Sequence, residues 1–302
     1  MKFGFHIPTS GGLDKVPPRA VERGCETIQI FARSPRFWRL DPLSEPEVTA
    51  FKSGIAAASI APVVIHTQYL VNLASGDPAL WDRSWRSLAE DLRRADLLGA
   101  QFVVTHPGSR GETPPAQAIE RAGKAIRRAF EEADSPALLL LENTAGAGRL
   151  LGSTFAGLAA ISAASRRPER IGLALDTAHA FEAGYDVASH EGLEATLAEV
   201  EQAFGFDRLK LIHANDSATP LGSHHDRHWD IGEGFIGESG LPPVALAKGG
   251  FRLILSHPAL RDLPFIMETP QFQLERDLRN MATIRRLAED SKSVAGSVNR
   301  VR

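Results

Sequence analysis

Eight short apolar runs recur along the chain, and between them lie longer stretches in which apolar residues return every three or four positions. The runs are Phe3–Ile7, Thr27–Phe31, Val63–His66, Phe102–His106, Ala137–Glu142, Ile171–Asp176, Leu209–His213 and Pro264–Glu268. Each is short and mostly continuous rather than alternating, as in a parallel strand buried on both faces. Ala79–Leu98, Ala116–Glu132, Ser153–Ser165, Glu191–Phe204 and Phe272–Ala288 read as amphipathic helices. Pro46–Ala58 and Leu13–Arg23 read as further helices, the second weakened by Pro17-Pro18. Phe251–Ser256 fits a buried strand or an apolar helix. It is assigned to the helical layer, because Pro264–Glu268 has the better strand ending.

This alternation predicts an α/β fold, a (β/α)8 TIM barrel of the xylose-isomerase-like type, with a doubly wound open sheet as the alternative. No Gly-x-Gly-x-x-Gly follows the first run, so a dinucleotide fold is disfavoured and no nucleotide cofactor is expected. Residues 1–289 are expected to form one catalytic domain. Gly237–Gly250 reads as a loop insertion, and the polar residues 290–302 as a disordered tail.

Composition narrows the class. With 302 residues, 43% of them hydrophobic, the chain can build a large core. Cys25 is the only cysteine, which excludes an intramolecular disulfide framework and a thiolate metal cluster. No signal peptide and no membrane-length apolar run is recognisable, so a cytoplasmic protein with no membrane partner is expected. A formal net charge of -3 argues, by itself, against a general nucleic-acid binder.

The candidate chemistry sits where the runs end. His66, His106, Glu142, Asp176, His213 and Glu268 each close a run. His179 follows Asp176 by three residues, and the loop after His213 carries Asp226 and His228. In a (β/α)8 barrel all strand C-termini converge on one face, which holds the active site. Nine metal-capable side chains would therefore ring one cavity. Four carboxylates so close together repel one another strongly unless cations lie between them. Nine ligands exceed the needs of one tetrahedral ion and suit two or three, with carboxylates bridging and positions open for water. Imidazole and carboxylate without thiolate favour zinc, with manganese or iron as alternatives.

These motifs resemble those of the endonuclease IV family, metal-dependent apurinic/apyrimidinic (AP) endonucleases of DNA base excision repair. The resemblance runs from about Met1 to Ala288. It includes His66-Thr67-Gln68-Tyr69-Leu70-Val71-Asn72-Leu73, His106-Pro107-Gly108-Ser109, Glu142-Asn143-Thr144-Ala145-Gly146 and Asp176-Thr177-Ala178-His179-Ala180-Phe181. It continues in His213-Ala214-Asn215-Asp216, Asp226-Arg227-His228 and Gly232-Glu233-Gly234-Phe235-Ile236-Gly237. The resemblance implies three Zn2+ ions, with Mn2+ or Fe2+ possible at one or more sites. Glu142 would bridge the first two ions, with a metal-bound hydroxide as nucleophile. His66 and His106 would complete the first; Asp176, His213 and Glu268 the second; and His179, Asp226 and His228 the third. The implied reaction cuts the phosphodiester bond 5′ to an abasic site in double-stranded DNA and leaves a 3′-hydroxyl. Three such ions and one hydroxide would move the formal charge from -3 to +2 and answer the charge objection.

For DNA contact the resemblance points to Arg36, Tyr69 and Leu70 as side chains entering the duplex. Arg33 and Arg39, on the same loop, are candidate phosphate contacts. Pro35 and Phe37 depart from the polar neighbours expected around Arg36. His6 is read as a supporting group beside the site, His224 and His225 as flanking it, and His190 and His257 as surface residues. The competing reading is a sugar isomerase or epimerase of the xylose-isomerase-like barrel group, which Glu142, Asp176, His213 and Glu268 alone would satisfy. His66, His106, His179, Asp226 and His228 favour the nuclease. An inactive DNA-binding relative is a third reading, against which the complete ligand set speaks. Nothing in the sequence demands a dimer, and a monomer is expected.

Overall fold

Parallel pairing between the apolar runs closes a barrel. The computed structural model describes residues 1–237, 250–270 and 273–298. The first seven strands are β1 (Lys2–His6), β2 (Thr27–Ile30), β3 (Val63–His66), β4 (Phe102–Thr105), β5 (Leu138–Glu142), β6 (Ile171–Asp176) and β7 (Leu209–His213). A small antiparallel ribbon, β8 (Asp216–Ser217) and β9 (His228–Trp229), lies outside the barrel, and β10 (Pro264–Met267) is its last stave. The closed order is β1-β10-β7-β6-β5-β4-β3-β2, with β1 paired to both β10 and β2. The barrel expectation holds, and the open sheet is excluded.

The helices are α1 (Val16–Glu22), α2 (Glu45–Ala57), α3 (Pro78–Leu98), α4 (Pro115–Glu132), α5 (Phe155–Ala164), α6 (Thr177–Ala183), α7 (His190–Phe204), α8 (Gly250–Ser256) and α9 (Leu274–Val298). Pro17 and Pro18 do not break α1. They occupy its first turn, where a proline's missing N–H is no loss. Phe251–Ser256 is helical, as assigned. Helix α6 escaped the sequence reading because its seven residues show too short a period. The tail is corrected in part: α9 runs on to Val298. Extending a formed helix is far cheaper than nucleating one, and Asp290 pairs with Arg252 at 3.2 Å and Arg286 at 3.8 Å. Residues 299–302 and most of the expected insertion, 238–249, lie outside the described residues.

Inside the barrel, Val64, Val104, Leu140, Ala174, Leu211 and Ile266 form a buried apolar layer contributed by six neighbouring strands. Strand side chains alternate between faces, so residues two positions on point the same way. Those residues are His66, His106, Glu142, Asp176, His213 and Glu268. The aliphatic layer is thus the floor on which six candidate ligands stand. The core between barrel and helices is built by the opposite faces of the strands, for example Ile65, Val103, Leu141 and Leu175.

Candidate metal centre

Three groups of donor atoms gather above this floor, each with its ligand atoms within 4.8 Å of one another. They are His66, His106 and Glu142; Glu142, Asp176, His213 and Glu268; and Asp176, His179 and His228. Glu142 is common to the first two groups. Its Oε2 lies 3.2 Å from His66 Nε2 and 3.4 Å from His106 Nε2, and its Oε1 lies 2.8 Å from His213 Nδ1. Asp176 links the second group to the third, its Oδ2 lying 4.0 Å from His213 Nδ1 and 3.6 Å from His228 Nε2. Asp226 approaches from the exposed loop, 3.4 Å from His179 Nε2 and 3.6 Å from His228 Nε2. Donors around one tetrahedral zinc ion, with bonds of about 2.0–2.1 Å, lie roughly 3.3 Å apart. The closer separations match that spacing, so the residues fit the ions implied by their chemistry.

Local sequence explains how each ligand is held. Asp176 caps α6, its Oδ1 accepting from His179 N at 2.7 Å, which leaves Oδ2 for the cluster. One helical turn then places His179 beside it, hence the three-residue spacing. His179 Nδ1 donates to Asn143 O at 3.0 Å, so Nε2 faces Asp226 and His228. His66 Nδ1 donates to Thr67 O at 2.7 Å, and His228 Nδ1 to Glu268 O at 3.2 Å. Such contacts fix the ring and aim its other nitrogen at a metal.

Three orienting residues were missed in the sequence. Gln29 accepts from His213 Nε2 at 2.8 Å and donates to Glu268 Oε1 at 2.5 Å and to His6 Nδ1 at 3.0 Å. Asn215 donates to Asp176 Oδ2 at 2.6 Å and accepts from Glu268 N at 2.7 Å. Asn143 exchanges two hydrogen bonds with the Asp176 backbone, at 2.8 and 2.9 Å. The sequence marks Gln29 as a polar position inside the second run, but not the partners it holds. His6 lines the same cavity, its ring 4.3 Å from that of Phe31 and its Nδ1 3.5 Å from Glu268 Oε1.

Electrostatics follow from crowding. Burial favours neutral imidazole in His213, but Glu142 and Glu268 outweigh it and push its pKa up to about 9. Burial is likewise overcome in His179, raised well above the ordinary histidine value by Asp176 and Asp226. Burial disfavours the charged forms of Glu142 and Glu268, yet the surrounding histidines hold both carboxyls well below the usual range. Burial dominates in His106, whose pKa is lowered. The cluster therefore stabilises positive charge, whether as protons or as metal ions, and the two compete.

The candidate ligands open into a cavity of about 280 Å³ lined also by Phe31, Tyr69 and Thr269. Tyr69 is exposed at the rim, its ring set edge-on to Phe31 at 5.1 Å. Leu70 beside it is half-buried, and Arg36 is exposed. Arg39 is exposed and pairs with Asp41 at 2.6 Å. Arg33 corrects the expectation: its guanidinium is buried against Asp91, with contacts of 2.9 and 3.0 Å, and faces no phosphate path. Its remaining contacts are the Ser87 carbonyl at 2.7 Å and the Ser87 hydroxyl. His257 is also corrected, being half-buried with Nε2 3.3 Å from Glu194.

Comparison with known proteins agrees with this geometry. A family model described as a xylose isomerase-like TIM barrel matches residues 17–280. A curated relative from Methanoculleus marisnigri, named probable endonuclease 4, is 43% identical over 94% of this chain and 98% of its own length. One from Halothermothrix orenii, with the same name, is 40% identical over 95% of this chain and 100% of its own length. The solved structure of endonuclease IV from Thermus thermophilus superposes with a TM-score of 0.82 at 39% identity, covering 96% of this chain and all of that one. A D-tagatose 3-epimerase-like protein superposes at 0.74 with 17% identity, covering 98% of this chain and 100% of its own; it shares the fold alone. With the strand-end ligand groups and near-full-length identity of about two residues in five, the chain belongs to the endonuclease IV family.

Proposed function

We propose that the protein is an AP endonuclease that hydrolyses the phosphodiester bond 5′ to an abasic site in duplex DNA, leaving a 3′-hydroxyl, with three Zn2+ ions. The observation that carries the reading is the sharing of Glu142, one oxygen turned to His66 and His106 and the other to His213. An epimerase-type site needs only the group around Glu142, Asp176, His213 and Glu268, whereas His179, Asp226 and His228 gather further donors beside it. Mn2+ or Fe2+ would be accepted by the same imidazole and carboxylate donors.

The ions would supply an acidified water and positive charge against the phosphate oxygens. In this reading His66 and His106 would hold the first, Asp176, His213 and Glu268 the second, and His179, Asp226 and His228 the third, with Glu142 contributing to the first two. No side chain of the cavity is then needed as nucleophile. Arg36 and Tyr69 stand exposed at the rim, and with Leu70 they fit the role of contacting the duplex where the abasic nucleotide leaves the stack. Arg39 is free to exchange Asp41 for a phosphate, since exposed ion pairs are worth little. Within the same reading the enzyme is a cytoplasmic monomer. The test is a duplex carrying one abasic site, assayed with and without chelator. Incision at that site, abolished by chelation and restored by zinc, is expected; turnover of a ketose instead would favour the epimerase reading.

A further inference from the structure

The motif His213-Ala214-Asn215-Asp216 ends in an acid that holds no candidate metal position. Asp216 is fully buried, and its carboxylate is ringed by backbone N–H groups. Oδ1 accepts from Ser217 at 2.8 Å and Ile236 at 2.9 Å, and Oδ2 from Gly232 and Gly234 at 3.0 Å and from Gly237 at 3.1 Å. These donors come from both ends of the excursion that carries Asp226 and His228. In between, β8 pairs with β9, setting Ser217 opposite His228 and Asp216 opposite Trp229. Ala218 N donates to Arg227 O at 2.8 Å, and Phe235 N to Ser217 O at 2.8 Å. The loop is thus closed at its base around one side chain.

We propose that Asp216 is a positioning residue that closes this loop and so sets Asp226 and His228 for the third ion, without touching any ion itself. The inference rests on the three-ion reading above. The chemistry of the clasp is specific. All five partners are donors, so only a group that accepts on both oxygens satisfies them. An amide in place of the carboxylate would turn its own N–H bonds toward one set of donors, leaving those backbone groups buried and unpaired. A longer Glu side chain finds no space at a fully buried position. Gly234 belongs to the same device: a Cβ there would fall 2.5 Å from Asp216 Oδ1 and 2.4 Å from Ser217 O. Gly234→Ala attacks the clasp by steric pressure and D216N by charge, so the two variants test one idea independently.

The experiment measures zinc per chain by elemental analysis after equilibration at a series of buffered free-zinc concentrations, with melting temperature of the metal-free form alongside. Wild type is expected to take three ions. D216N is expected to retain two at wild-type concentrations and to need at least tenfold more free zinc for the third, and Gly234→Ala to behave likewise. Loss of all three ions in parallel would overturn the proposal, because it would make Asp216 a general fold residue. Retention of all three at wild-type concentrations by both variants would overturn it as well. If D216N does not fold, Gly234→Ala alone decides between these outcomes. A wild-type chain that never takes a third ion would overturn both this proposal and the three-ion reading, and it is recognised in the wild type itself.

Discussion

Glu142 is fully buried, and each of its two oxygens faces a different set of imidazoles. Gln at this position keeps the shape and removes the charge that two ions would share. Glu142→Gln is expected to lower abasic-site cleavage by several orders of magnitude while binding of abasic duplex falls much less. Cleavage within about tenfold of wild type would sink the bridging role. Gln29 acts one step further out, holding His213 and Glu268 at once. Removal of such an orienting partner typically costs about 10–100-fold in metal affinity or activity. Gln29→Ala is therefore expected to weaken zinc binding by that order in a chelator competition, with little change in affinity for intact duplex. Of this residue-level picture, six candidate ligands were legible because each closes an apolar run, and His179, Asp226 and His228 because they follow such an ending closely or lie on its loop. Gln29 and Asn215 were not, because an amide's role depends on which partners the barrel brings beside it.

At the scale of elements, the loop after β2 shows how similar residues part company. Arg33, Arg36 and Arg39 recur every third position and look alike in sequence. Helix α3 separates them. Asp91 captures Arg33, Arg94 Nη1 donates to Ala32 O at 2.7 Å, and Gln68 Nε2 donates to Phe37 O at 2.6 Å. The loop base is thereby fixed from below, and its tip presents Arg36 and the exposed ring of Phe37. Breaking one partner of a buried ion pair costs about 3–5 kcal/mol. Arg33→Ala should accordingly lower the melting temperature by several degrees. Arg36→Ala should leave it unchanged and weaken binding to abasic duplex more than to intact duplex, as should Tyr69→Ala. Equal weakening on both duplexes would make Arg36 and Tyr69 phosphate contacts only.

For the whole molecule, closure of the barrel decides what solvent reaches. Cys25 lies just before β2, buried away from the ligand cavity, and burial pushes its thiol up to about 12 from an ordinary value near 9. A folded-state pKa above the unfolded one stabilises the fold fully below pH 9, and that contribution is lost as pH rises toward 12. The stability difference between wild type and Cys25→Ala should therefore shift against wild type by about 2 kcal/mol between pH 9 and 11. A difference independent of pH, measured by denaturant unfolding, would refute this. Among the described helices none is long and apolar enough to cross a membrane. The sequence by itself determined the barrel and which strand-end side chains gather in its mouth, because both follow from local rules: continuous apolar runs make buried strands, and a two-residue period sets which side chain faces inward. It also placed Asp176 three residues before His179. Only the tertiary structure decided which carboxylate stands between two histidine groups, which arginine is spent on Asp91, and how Asp216 gathers N–H groups from residues up to 21 positions away. Those outcomes depend on contacts between segments distant in the chain, which no local period encodes.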